Sequence, residues 1–286
     1  MLLEIVREVA LKRPQGKQQI CRAISQLGQE MGGAGFQSPS PTIAYHKTRG
    51  LSAPLRMMMY YKRHDFTIVG YGLGIREDWF AGEKKRLLEH NSMINLPHVI
   101  DGDEVVTQSN TCALYIGQKL GIDKAAHFIH NHCVLDQAMD LRNSLMEFVY
   151  PHRKGVTKES FPAEAKKHLS STLTTHLAKF EGFCKGRFMC GETPQSGDFM
   201  LFEMIDQHLH IAASLDVPNI LGPFPKMARL HAAFKSDAAL ADYFSSEHYS
   251  KWSHNTPAHG QTNYTGQEAD ASDFPFGGKV EIDVRF

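Results

Sequence analysis

"INLPHVIDGDEVVTQSNTCALYIGQKLG", Ile94–Gly121, is the stretch whose reading decides the fold. Two short apolar runs, "HVI" and "EVV", flank Gly102-Asp103, a pair suited to a tight hairpin turn. Pro97 opens the first run. It brings no N–H to a ladder, and the bond before a proline is the one peptide link that adopts the cis form readily. A cis bond there would turn Leu96 outward, so that its N–H and C=O could pair with an extended peptide as with an extra strand. The plainer reading is a trans proline that only starts a strand. Gln108-Ser109 follows the second run, where a helix begins, with Ser109 or its neighbour as cap and Gly121 at the C′ position. Helix N-termini carry unpaired N–H groups and a partial positive charge, so this junction can hold a carboxylate. An ordinary N-cap is the alternative.

Working upstream, "TIAYH" and "DFTIVGYG" read as strands, "LSAPLRMMMYYKR" as a helix with Pro54 in its first turn, and "EDWFAGEKKRLLEHN" as a polar, irregular helix. The order over residues 41–122 is β-α-β-α-β-β-α. Downstream the strand signals stop. "HFIHNHCVLDQAMDLRNSLMEFVYP", "PAEAKKHLSSTLTTHLAKFEGFCKG", "GDFMLFEMIDQHLHIAASL" and "PKMARLHAAFKSDAALADYF" are helical stretches with apolar faces, which makes residues 127–252 an all-α domain. Residues 1–40 read as a leader: apolar residues at Leu2, Ile5, Val6 and Val9 with helical spacing, then a Gly/Ser/Pro-rich linker. The leader carries more Lys/Arg than acid, as a transit peptide would, but Glu4 and Glu8 spoil that pattern. Residues 253–286 are a polar C-terminal extension ending in "KVEIDVRF", whose alternation fits an edge strand or a strap, and whose polarity equally fits disorder.

The 286 residues include 31 Lys+Arg and 31 Asp+Glu, a formal net charge of zero. That balance argues against a nucleic-acid or membrane-surface footprint built on bulk charge. No apolar run approaches the roughly 18 residues of a bilayer span. The five cysteines are scattered without zinc spacing, as reduced thiols in the cytoplasm would be. "HFIHNHC" looks metal-like, but no second cluster completes it, and a helix surface is the better reading; no metal is expected.

Taken together, the motifs resemble the cytosolic glutathione transferases, most of all their mu and sigma classes. "AYHKTRGLSAPLR" matches the family's first strand and helix, "NLPHVIDGD" the segment with the cis-proline, and "TQSNTCALYIGQKLG" the glutamyl-binding pair and its helix. "DQAMDLRNSLMEFVYP" and "GDFMLFEMIDQHL" match two helices of the second domain, and Pro97 and Gln108 stand eleven apart as the family pattern requires. The resemblance covers about residues 41–250. It implies a thioredoxin-like α/β domain followed by a helical-bundle domain, a homodimer, and glutathione as co-substrate for conjugation to hydrophobic electrophiles in detoxification.

It also implies roles residue by residue. Tyr45 is the catalytic match: its phenol would donate to the glutathione sulfur and favour the thiolate, the nucleophilic form. Without the resemblance, Tyr45 would read as a half-buried strand aromatic. Leu51 matches a residue beside the glycyl moiety, and Trp79 and Lys84 match groups that hold the glycyl carboxylate, with Lys85 in place of Lys84 if the alignment shifts. Asn95, Leu96 and Pro97 match the backbone-gripping segment, and Gln108 and Ser109 the glutamyl end. Asp140 matches an acid that reaches the ligand's amino group from the partner subunit, and Tyr150 a hydroxyl facing the electrophile. Apart from the resemblance these read as surface charges, a helix cap and helix-end aromatics.

Departures are visible too. His46 stands where mu enzymes have a tryptophan, though a histidine can still donate to the glycyl carboxylate. Phe66 to Trp79 is too short for the mu class's extra loop. Gln195 precedes Asp198 where the family has Ser or Thr in a capping box, a poorer cap for which Ser196 is an imperfect substitute. The leader and the extension have no family counterpart, and the extension begins where the electrophile pocket is usually walled. A competing expectation is therefore a non-catalytic binding or structural protein of the ligandin or crystallin type.

Overall fold

The computed structural model describes residues 40–72, 77–150, 155–255 and 278–286. The expectations for residues 1–39 lie outside the described residues. The first strand, β1 (Thr42–His46), carries Ile43 and Ala44 to opposite faces, and both are buried. A 3₁₀ turn at Gly50–Ser52 leads into α1 (Ala53–Tyr61), with Pro54 in its first turn. Every residue from Ala53 to Tyr60 is buried, Arg56 among them, because α1 lies between the sheet and the later helices. β2 (Phe66–Tyr71) runs parallel to β1. The polar segment after it is irregular: a π-helical stretch, Glu77–Glu83, continues as α2 (Lys84–Leu88).

β3 (His98–Asp101) and β4 (Glu104–Thr107) form the hairpin, with Gly102 at φ 60° in the left-handed region its turn demands. α3 (Ser109–Lys119) follows and ends as its sequence reads. Gly121 (φ 63°) is the C′ residue, and Gly121 N and Ile122 N donate back to the carbonyls of Gln118 and Gly117 at 3.1 and 2.8 Å.

Beyond it come α4 (Phe128–Val149), α5 (Phe161–Lys167) running through a π-helical His168–Thr172 into α6 (Leu173–Phe183), α7 (Ser196–Ser214) and α8 (Pro225–Lys235). The last apolar stretch is not one helix, as its periodicity suggested. It breaks at Ser236-Asp237, where the Asp237 carboxylate accepts from Ala239 N at 3.0 Å and starts a new turn. Among the described residues, short helices α9 (Ala241–Ser245) and α10 (Glu247–Ser250) are the last.

The extension resolves the choice left open for its end. β5 (Val280–Val284) pairs antiparallel with the outer edge of β2, giving the order β4-β3-β1-β2-β5. One face of the sheet joins the large core through Ile43, Phe66, Ile68 and Val99, together with α1, α3, α4 and α7. The other face carries a smaller cluster of Ala44, Val69, Tyr71, Trp79, Leu87 and Ile94 under the π-helical segment and α2. The fold is thus α/β followed by all-α, with a small mixed sheet.

Candidate functional site

Tyr45 sits near the end of β1, opposite Gly70 of β2, and is 9 % exposed. Its ring lies directly on Gly50: a Cβ at position 50 would come within 2.6 Å of Tyr45 Cε1, and Gly50 adopts φ 40°. Burial pushes the phenol above its ordinary pKa, the Arg142 charge pulls it down, Tyr150 pushes it up, and the nearby Leu51 backbone lowers it. At neutral pH the group is therefore a protonated donor, not a base.

The register that pairs Ala44 with His98 sets Tyr45 opposite Pro97 when extended by one residue, and His98 pairs in turn with Thr107. The Leu96–Pro97 bond is cis. Buried Thr107 pins the segment before it: its hydroxyl accepts from Asn95 N at 3.1 Å and donates to Asn95 O at 3.0 Å. Beside Thr107, Gln108 is exposed and held at φ 71°, ψ 124°, a left-handed backbone that costs a non-glycine residue about 1–3 kcal/mol. Gln108, not Ser109, is the N-cap, and no side chain caps the helix. The first intrahelical bond is Cys112 N to Gln108 O at 2.8 Å, so α3 opens with uncapped N–H groups beside the Ser109 hydroxyl. That arrangement suits a carboxylate.

His46 is half-buried beside Tyr45, with ring centroids 5.4 Å apart, and burial lowers its pKa. Its Nδ1 is buried without a hydrogen-bond partner among the described residues. Leu51 is half-buried at the turn after Gly50, and Tyr150 ends α4 close enough to Tyr45 to raise the latter's pKa. Trp79 is only 2 % exposed; it stacks on His98 at 5.4 Å and packs on Tyr71. Lys84 stands at the start of α2, its Nζ 5.8 Å from the Phe80 ring. Asp140 is exposed on α4. The structure therefore gathers Tyr45, His46, Leu51, Leu96, Pro97, Gln108 and Ser109 at neighbouring strand ends. Trp79 lies within the core, and Asp140 stands on a separate surface. Arg142 was not singled out from sequence. Its one signal is its place on α4 two turns before Tyr150.

Residues 139–247 match the family described as "Glutathione S-transferase, C-terminal domain". Over 216 residues the chain is 27% identical to the class-mu 26 kDa isozyme 51 glutathione S-transferase of Fasciola hepatica, covering 73% of this chain and 90% of that protein. It is 26% identical to glutathione S-transferase Mu 4 of Homo sapiens over 216 residues, covering 73% of this chain and 93% of that one. Among solved structures, the fold is shared with the glutathione S-transferase Blo t 8 (TM-score 0.62, 22% identity, 76% of this chain and 97% of that chain). It is shared as well with the Pi-class glutathione S-transferase of Onchocerca volvulus (TM-score 0.61, 22% identity, 76% and 98%). Residues 139–247 thus match a glutathione S-transferase C-terminal domain, and the chain is similar to mu-class glutathione S-transferases over 73% of its length.

Within this glutathione S-transferase fold, two polar arrangements were read from the sequence only in part. The first is the N-terminus of α7. Asp198 accepts from Gln195 N at 2.8 Å and from Met189 N at 2.7 Å. The Gln195 side-chain oxygen turns away to Lys124 N at 2.8 Å. Asp123 then takes both Ser196 N and Ser196 Oγ at 2.7 Å, and Asn131 Oδ1 takes Gly197 N at 2.9 Å. The weak local cap is thus replaced by groups from the preceding loop and α4, a pairing that adjacent sequence does not reveal.

The second is a buried cluster on Arg49, which was read only as half of an Arg-Gly motif. Arg49 forms a bidentate pair with Glu203 (Nε–Oε1 3.1 Å, Nη2–Oε2 2.7 Å) and reaches Asp206 Oδ2 at 2.7 Å. Tyr249 OH and His231 Nε2 complete the contacts of Asp206, each at 3.0 Å. Among the described residues no group of three or more His, Cys, Asp or Glu is placed to hold a metal ion, and "HFIHNHC" runs into the first turns of α4. No helix of the described residues is long and apolar enough to cross a membrane.

Proposed function

We propose that the protein is a glutathione transferase that binds glutathione along the ends of β1 and β3 and the start of α3, and adds its thiolate to hydrophobic electrophiles. The observation that carries this reading is the Tyr45 hydroxyl. It is seated on Gly50 at the end of β1 beside the cis Leu96–Pro97 segment and is held protonated by burial, so its proton is available to a sulfur placed beside it. A thiol of pKa about 8.5 is mostly protonated at neutral pH, and each unit by which a donor lowers that value is worth about 1.4 kcal/mol. The γ-glutamyl carboxylate is assigned to Gln108, Ser109 and the uncapped N–H groups of α3. The cysteinyl backbone is assigned to Leu96, with Asn95 and Pro97 shaping that segment. His46 and Lys84 are assigned to the glycyl carboxylate, with Leu51 beside it. Trp79, expected there from sequence, is closed into the core and supports that segment from beneath. Tyr150 faces the electrophile. In a homodimer Asp140 reaches the ligand of the partner subunit. The names of the relatives support transferase activity, and the cytoplasm fits the scattered cysteines.

A glutathione-affinity column followed by conjugation of a chloronitrobenzene tests the proposal. Wild type is expected to bind and turn over, and Tyr45→Phe to bind with about 10- to 100-fold lower kcat. Retention without turnover in either form would instead assign the chain to the binding and structural members that share this fold.

A further inference from the structure

Two successive main-chain N–H groups follow Thr48, and their partners are unusual. Arg49 N donates to Ser253 O at 2.8 Å, and Gly50 N donates to His254 O at 2.9 Å. Both are thus held by the polar extension, at the turn that seats Tyr45. The extension is anchored at the same point by side chains. Arg49 Nη1 stands 3.0 Å from His254 Nε2, and since a guanidinium only donates, that nitrogen is the acceptor and the ring is neutral. Asn255 Nδ2 donates to Gln207 Oε1 at 3.2 Å, and Ser253 Oγ donates to Asn255 O at 2.9 Å. Trp252 lies under the Arg56 guanidinium, 5.0 Å from its ring centroid, while Arg56 holds the carbonyls of Thr48 and Arg49 at 3.0 and 3.2 Å. Ser253, His254 and Asn255 are all buried, at 6 %, 1 % and 4 % exposure.

The turn so held is the one against Tyr45. Gly50 touches the tyrosine ring, and there is no room for a Cβ between them. Any slackening of the Arg49–Gly50 backbone therefore moves the ring's seat and, with it, the direction of the hydroxyl. We propose that residues 253–255 are a positioning element for Tyr45, with His254 the side chain through which they fix the Arg49–Leu51 turn. The proposal rests on the transferase reading above and adds to it that the extension tunes how strongly Tyr45 stabilises the thiolate.

The test compares wild type, His254→Phe and His254→Gln as full chains. Ultraviolet absorbance of the thiolate as a function of pH gives the pKa of bound glutathione, and the glutathione Kd and kcat with a chloronitrobenzene are measured alongside. His254→Phe keeps a ring and removes the acceptor. It is expected to raise the bound-thiol pKa by about one unit and lower kcat about tenfold, with Kd changed less than about twofold. His254→Gln restores an acceptor and is expected to return all three values toward wild type. Should His254→Phe fail to fold, His254→Ala takes its place with the same readouts. A folded variant lacking the acceptor with wild-type thiol pKa and kcat overturns the positioning role and leaves the transferase reading standing. Equal losses in the Phe and Gln variants overturn it too. Wild-type protein that binds glutathione without ionising it overturns both.

Discussion

At the scale of single residues, the site depends on a phenol that must stay protonated and a glycine that must stay bare. Gly50→Ala adds a Cβ 2.6 Å from the Tyr45 ring at φ 40°. It is expected to destabilise the protein by about 1–3 kcal/mol and to lower kcat, measured by urea denaturation and conjugation assays on one preparation. Gly70 has a similar logic with no catalytic part, since Val280, Lys47 and Trp252 converge at 2.9–3.0 Å on the place its side chain would take. The positions of Tyr45, Pro97 and Gln108 at strand ends and a helix start were legible in the sequence, each marked by an adjoining turn or glycine, while their roles came only from the resemblance. Arg142 and His254 were not legible, because their importance comes from packing against residues far away in the chain.

At the scale of elements, the hairpin and the helix behind it follow from their turn and cap chemistry alone, and both formed as read. The helix starts did not. α7 lacks a good local cap and imports one, so Asp123→Ala, which strips two contacts of 2.7 Å from Ser196, is expected to cost about 1–3 kcal/mol in urea denaturation. An unchanged midpoint would show that Asn131 and Asp198 suffice. The split between α8 and α9 was missed for a related reason: the apolar period continues through Ser236-Asp237, and only the Asp237 cap ends it.

For the whole molecule, the buried histidines set the response to acid. Burial lowers His98 and His208 to about 4 and His248 to about 3, from an ordinary value near 6.5. Below pH 6.5 the unfolded chain takes up protons that these native side chains refuse, so stability falls as pH falls from about 6.5 toward 4. Each contributes up to about 1.4 kcal/mol per pH unit. Asp198, pushed up to about 7 by burial, acts the other way in that window, as do Asp123 and Glu203. His46, His176, His210 and His254 are lowered too, and the histidines leave a net loss. Urea midpoints at neutral and mildly acidic pH should show it. The proposed pairing of two copies makes a further prediction. Met93 is 67 % exposed, and a pocket of about 130 Å³ lies on α4 and α6, lined by Val134, Phe180 and Phe183. Met93→Asp is expected to shift sedimentation toward the monomer. Sedimentation unchanged by the substitution would place Met93 outside the interface, and a wild-type monomer would remove the role given to Asp140.

The fifth strand has a consequence for how the molecule is made. Arg285 reaches the carbonyl of Phe66 across 219 residues of sequence, and β5 pairs with β2 from Phe66 to Gly70. As the chain leaves the ribosome, β2 waits with one row of amide and carbonyl groups unmatched until the whole helical part between it and β5 has been translated. Over that interval the growing chain is exposed to pairing with the wrong neighbour along that border.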